Sequence, residues 1–103
     1  MKNLLQEWYD TRHRDLEKKG YALRIAAGPA ANSMSLDIDG DTFVGTIAYW
    51  SPDVFEFQFN ACDSGEVIVF ETVRLGSLEK VMDYCKTMLA KIAMQEPEEP
   101  EAG

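Results

Sequence analysis

Histidine and cysteine are scarce in this chain. His13 stands alone, and Cys62 and Cys85 are too few and too far apart for a C-x-x-C motif, a zinc ligand set or a disulfide framework. Two free thiols are expected. No nucleophile elbow, phosphate-binding loop or H-E-x-x-H motif occurs, so no catalytic residues, metal site or cofactor are expected. No apolar run approaches the roughly 20 residues that cross a bilayer. Met1 to Glu7 turn charged and amphipathic at once, where a secretory leader would be apolar. These absences point to a cytoplasmic protein. The most telling deficit is of one sign of charge. No Lys or Arg lies between Arg24 and Arg74, while Asp37, Asp39, Asp41, Asp53, Glu56, Asp63, Glu66 and Glu71 all fall inside that window.

What is present suits one compact unit. A length of 103 residues with 46% hydrophobic and 11% aromatic content can bury a core of its own. The net charge of -8 argues against nucleic acid or an anionic membrane as partner, because both demand cationic patches. A basic protein fits the sign. Part of the charge is local: residues 95–103 combine Glu96, Glu98, Glu99 and Glu101 with Pro97 and Pro100, which reads as a disordered acidic tail behind a single α+β domain over 1–94. Four of the 18 acidic residues lie in that tail, so the remainder of the chain carries about -4.

The apolar spacing of Leu4, Leu5, Trp8, Tyr9 and Leu16 predicts a helix over 2–19, stopped by Gly20. Leu5, Trp8 and Leu16 should lie on a sheet, with Arg12, Arg14, Lys18 and Lys19 in water. Tyr21, Leu23 and Ile25 alternate with polar or small residues as a short strand. Met34, Leu36 and Ile38 form the next strand, and Asp39-Gly40 signals a two-residue hairpin that would set Leu36 opposite Phe43. Ser51-Pro52-Asp53 closes a second hairpin with Trp50 opposite Val54 and Gly45 opposite Phe59. Asp63-Ser64-Gly65 closes a third, with Ile68 opposite Phe59 and Phe70 opposite Phe57. After Gly76, Ser77 is a fitting N-cap for a helix whose stripe runs Leu78, Val81, Met82, Cys85, Met88, Leu89 and Ile92. The expectation is a two-layer α+β fold of order α-β-β-β-β-β-α: a five-stranded antiparallel meander sheet with both helices packed on one face.

That register leaves Asp37, Val44, Thr46, Trp50, Val54, Glu56 and Gln58 on the uncovered face, joined on the last strand by Val67, Val69 and Glu71. Glu56 and Glu71 would then sit directly opposite each other, a like-charge pair that calls for a cation between them. Trp50 with Val54, Val67 and Val69 adds an apolar patch of the kind found in protein interfaces, although half-exposed valines are also ordinary on sheets. The partner-binding expectation is therefore Asp37, Trp50, Val54, Glu56, Gln58, Val67, Val69 and Glu71. An edge strand, Tyr21 to Ala26 or Glu66 to Val73, could instead accept a strand from the partner. Other candidates fall away. Asp37-Ile38-Asp39-Gly40-Asp41 resembles a calcium loop, but its Gly is misplaced and the twelfth position is Ala48. His13 sits among charged helix residues as a surface or boundary imidazole. Cys62 has acidic neighbours that disfavour the reactive thiolate.

The run Gly45-Thr46-Ile47-Ala48-Tyr49-Trp50, then Phe55-Glu56-Phe57, then Asp63-Ser64-Gly65-Glu66, then Leu75-Gly76-Ser77-Leu78 leading into a helix resembles the TriTu-type immunity proteins of bacteria. Those belong to polymorphic-toxin and contact-dependent growth inhibition systems. The opening helix with Trp8-Tyr9 is similar too, and the likeness extends from Leu4 to Ile92. It implies a non-enzymatic protein that binds and neutralises a cognate toxin domain, commonly a nuclease with a basic cleft, and it transfers no binding residue. An acidic sheet face suits such a cleft and would speed association. The contrasting reading is a secretion chaperone or adaptor that holds an effector. Chaperones of that kind are usually dimers, whereas an immunity protein would be a monomer when free.

Overall fold

The computed structural model describes residues 3–28, 30 and 32–93, so the expected tail at 95–103 lies outside the described residues. Helix α1 spans Leu4–Lys18, strands β1 to β5 span Ala22–Ala27, Ser33–Asp39, Phe43–Trp50, Val54–Ala61 and Val67–Arg74, and helix α2 spans Leu78–Ala93. The strands form one antiparallel sheet in the order β1-β2-β3-β4-β5, which leaves β1 and β5 at its edges. The predicted α+β architecture is the observed one.

Local chemistry explains the ends of both helices. Asn3 caps α1, its side chain accepting the Gln6 N–H at 2.9 Å. At the other end Gly20 takes φ +94°, its N–H donates to the Glu17 carbonyl, and the Tyr21 N–H reaches back to Leu16. That is the Schellman arrangement, and it needs a residue without a Cβ at the left-handed position. Ser77 accepts the Lys80 N–H at 3.3 Å and so starts α2, as its position predicts.

The core lies between the helices and one face of the sheet. Leu5, Trp8 and Leu16 of α1 and Val81, Cys85, Met88 and Ile92 of α2 are buried against Leu36 and Ile38 of β2, Phe43, Ile47 and Tyr49 of β3, and Phe55, Phe57 and Phe59 of β4. Strict alternation along β2 to β4 puts these side chains on a single face. Gly45 lies opposite Phe59, as the second hairpin requires, and a Cβ there would come within 2.1 Å of the Phe59 ring.

Two registers differ from expectation. Leu36 pairs with Ile47 and Asp39 with Val44, so the tip of the first hairpin is Asp41-Thr42 rather than Asp39-Gly40. The Gly40 N–H donates to the Phe43 carbonyl, and the Phe43 ring occupies the space beside Gly40, where a Cβ would lie 2.6 Å away. Glycine is present there to admit the ring. The offset is an even number of residues, so the two faces keep their membership. The second difference reverses a face. Phe59 pairs with Val69 while Asn60 pairs with Val67, leaving Ile68 as an extra residue, a β-bulge in β5. Beyond that bulge every side chain of β5 points opposite to expectation.

Candidate functional site

The face not covered by helices is built in cross-strand rows. Nearest the turns at Asp41-Thr42 and Asp63-Ser64, one row runs Ala22, Asp39, Val44, Asn60 and Val67. The next runs Arg24, Asp37, Thr46, Gln58 and Phe70, the third Ala26, Ser35, Ala48, Glu56 and Thr72, and the last ends in Trp50, Val54 and Arg74. Six of the eight expected residues therefore reach this face: Asp37, Trp50, Val54, Glu56, Gln58 and Val67.

Val69 and Glu71 do not. The bulge at Ile68 turns Val69 into the core, where it is 3% exposed, and brings Glu71 to the helix side opposite Phe57. There the Tyr84 hydroxyl of α2 donates to the Glu71 carboxylate, and Lys91 Nζ lies 3.9 Å from its second oxygen. The expected pair of Glu56 and Glu71 is absent, because Glu56 faces Thr72. In exchange Phe70, expected inside, stands 63% exposed. With Val67 at 57%, Val44 at 42% and Trp50 at 39%, it makes four large apolar side chains open to solvent on one sheet face.

The charge pattern also changes in three dimensions. The acidic window lacks cations in sequence, yet its two flanking arginines return to the same face from opposite edges. Arg24 pairs across β1 and β2 with Asp37, and Arg74 Nη1 meets Asp53 Oδ1 at 3.1 Å. Asp37 also accepts the Thr46 hydroxyl at 3.0 Å. Asp39, Asp41, Asp63 and Glu66, all near the turn end, form no ion pair among the described residues. A shallow depression of about 390 Å³ on this face is lined by Arg24, Asp37 and Asp39 together with Thr46, Gln58 and Asn60.

The remaining reactive groups have structural explanations. His13 stacks on Tyr9 at 4.8 Å between ring centroids, and its Nδ1 lies 2.8 Å from the Tyr9 carbonyl, a boundary imidazole on α1. Burial pushes the Cys85 thiol from 9.0 up to about 12, whereas Cys62 is exposed beside the third turn. Among the described residues no group of three or more His, Cys, Asp or Glu is placed to hold a metal. No helix among them is long and apolar enough to cross a membrane.

A bulge signal was present in β5 but split between its halves. Continuing the expected register to the strand end would bury Thr72 and Arg74 and expose Val73, which the alternation of Val69, Val73 and Leu75 contradicts. Comparison with curated proteins found no match. The family model described as immunity protein TriTu matches residues 3–91, from the N-cap of α1 to the last turn of α2, and so spans every strand of the open face. The chain belongs to the TriTu family of immunity proteins.

Proposed function

We propose that this chain neutralises its cognate toxin by laying the helix-free face of its sheet on a basic surface of that toxin, the cleft of a nuclease or of another enzyme that binds an anionic substrate. Membership of the immunity-protein family supports the neutralising role and a cognate toxin as partner. The choice of face rests on one observation: four large apolar side chains are exposed there among carboxylates, while the other face is buried under two helices. Large apolar anchors within a charged rim are how interfaces combine affinity with specificity. The acidic excess steers a cationic partner and repels nucleic acid and anionic lipid.

On this reading the protein is a non-enzymatic, monomeric inhibitor acting in the cytoplasm, as part of a polymorphic-toxin or contact-dependent growth inhibition system. Asp37, Trp50, Val54, Glu56, Gln58 and Val67 contribute to the contact. The direct test is co-expression with the toxin encoded in the adjacent reading frame. The wild-type chain should relieve growth arrest, and Trp50→Ala combined with Glu56→Gln should weaken protection without lowering thermal stability. Failure of the wild-type chain to protect removes the reading. Size-exclusion chromatography of the free chain should return a monomer, and an obligate dimer would favour a secretion chaperone instead.

A further inference from the structure

We propose that Phe70, flanked by Val67 and Val44, is the anchor of the toxin interface, received by an apolar pocket that the toxin rings with lysine or arginine. The inference rests on the toxin-binding reading above and decides which end of the face dominates. The bulge at Ile68 is the structural reason. It compresses three residues into one outward step, so that Val67 and Phe70 occupy successive outward positions opposite Asn60 and Gln58. Bulges re-aim side chains in this way. Val44 lies across Asn60 from Val67, which closes an apolar corner around a single polar side chain.

Carboxylates without an ion pair are densest at the same end of the sheet, although Glu56 of the third row also lacks one. At the far end of the face the carboxylate of Asp53 is matched by Arg74, and in the middle Asp37 is engaged by Thr46 and faces Arg24 across the strands. Asp39, Asp41, Asp63 and Glu66 have no cation among the described residues, and they lie in or beside the two turns at that end of the sheet. The Cys62 N–H donates to the Thr42 carbonyl at 2.9 Å and ties one turn to the other, while within the third hairpin Asn60 Nδ2 donates to Gly65 O at 3.1 Å. Carboxylates carried on turns that are tied together lose less entropy when they meet a cationic rim. The same acidic excess argues against a second copy of this chain as occupant, since a two-fold contact would bring like charges together.

The probe is the toxin domain from the adjacent reading frame, purified in inactivated form, with binding kinetics measured at several salt concentrations. Phe70→Ala should weaken affinity by roughly 30-fold, mainly through faster dissociation, and by more than Trp50→Ala does. A triple variant, Asp41→Asn with Asp63→Asn and Glu66→Gln, should slow association by about tenfold at low salt and flatten its salt dependence. Phe70 is exposed, so its variant should melt with the wild type. If the wild type binds while both variants bind within about twofold of it, the anchor is elsewhere and the immunity reading stands. If the wild type does not bind, the toxin-binding reading falls and takes the anchor with it. If Phe70→Ala dissolves a wild-type dimer yet leaves toxin affinity unchanged, the corner is a self-contact and the proposal is overturned.

Discussion

Replacing Gly45 with alanine should destabilise the protein more than a single added methyl group suggests. A Cβ at that position would lie 2.1 Å from Cδ2 of Phe59 and 2.4 and 2.5 Å from two further ring atoms. Ordinary carbon contacts fall near 3.5 to 4.0 Å, so the ring or the strand must retreat by more than about 1 Å. Phe59 has little room to retreat, being fully buried with Phe43 at 5.8 Å between ring centroids. Overpacking of this kind costs about 1–3 kcal/mol, and the severity of the overlap places it at the upper end. Removing a glycine from the unfolded chain returns roughly 0.5–1 kcal/mol. A net loss of about 2 kcal/mol follows, which for a domain of this size lowers Tm by roughly 8–16 °C. Urea unfolding followed by tryptophan fluorescence, with circular dichroism as a second probe, reads the value. Phe59→Leu supplies the control: by itself it loosens the core, but combined with Gly45→Ala it should recover at least about 1 kcal/mol relative to the sum of the single effects. A Gly45→Ala variant within about 0.5 kcal/mol of wild type, or a strictly additive pair, would refute the proposed ring-over-glycine packing.

Three further outcomes test the geometry of β5 and of the two thiols. Val69→Ala should lose roughly 1–3 kcal/mol in chemical denaturation, while Val67→Ala two positions earlier stays within about 0.5 kcal/mol of wild type; equal losses would contradict the bulge. Glu71→Gln should leave toxin affinity unchanged and reduce stability by less than about 1 kcal/mol, because its partners Tyr84 and Lys91 belong to α2 and the site is partly exposed. At pH 8 a colorimetric thiol reagent should titrate one cysteine in the native protein, Cys62, and two in urea. The folded Cys85 thiol titrates higher than the unfolded one, so its contribution to stability is complete below pH 9 and declines as pH rises toward about 12.

Where the sequence was strictly periodic, the structure could be read from it. The period of 3.6 in α2 and the alternation of Phe55, Phe57 and Phe59 each admit one arrangement, and Gly45 opposite Phe59 followed from the loop length alone. The first hairpin shows why turn chemistry is a weaker guide. Asp39-Gly40 has the composition of a two-residue turn, but the space Phe43 needs beside Gly40 moved the tip to Asp41-Thr42. In β5 the run Val67, Ile68, Val69 and Phe70 is apolar on both parities, so nothing local shows where the extra residue enters. That ambiguity exchanged Phe70 for Val69 and carried Glu71 to the wrong face. The alternation of Tyr21, Leu23 and Ile25 already turned Arg24 outward, whereas Arg74 lies beyond the bulge and its side could not be assigned from spacing in the chain.

The extra residue in β5 also separates two kinds of constraint along one strand. Val69 and Val73 pack against the core, so selection for stability acts on them, whereas Val67, Phe70 and Thr72 have no interior duty. Substitution at those outward positions alters the shape offered to a partner while leaving the hydrophobic layer intact. An inhibitor built this way can follow a diverging toxin by changing surface residues alone, and it can reject a related toxin by placing one ill-fitting side chain there. Deleting Ile68 would restore plain alternation with the same cross-strand partners, so that Val67 and Phe70 stay outward and Val69 inward while the core loses one partly buried side chain.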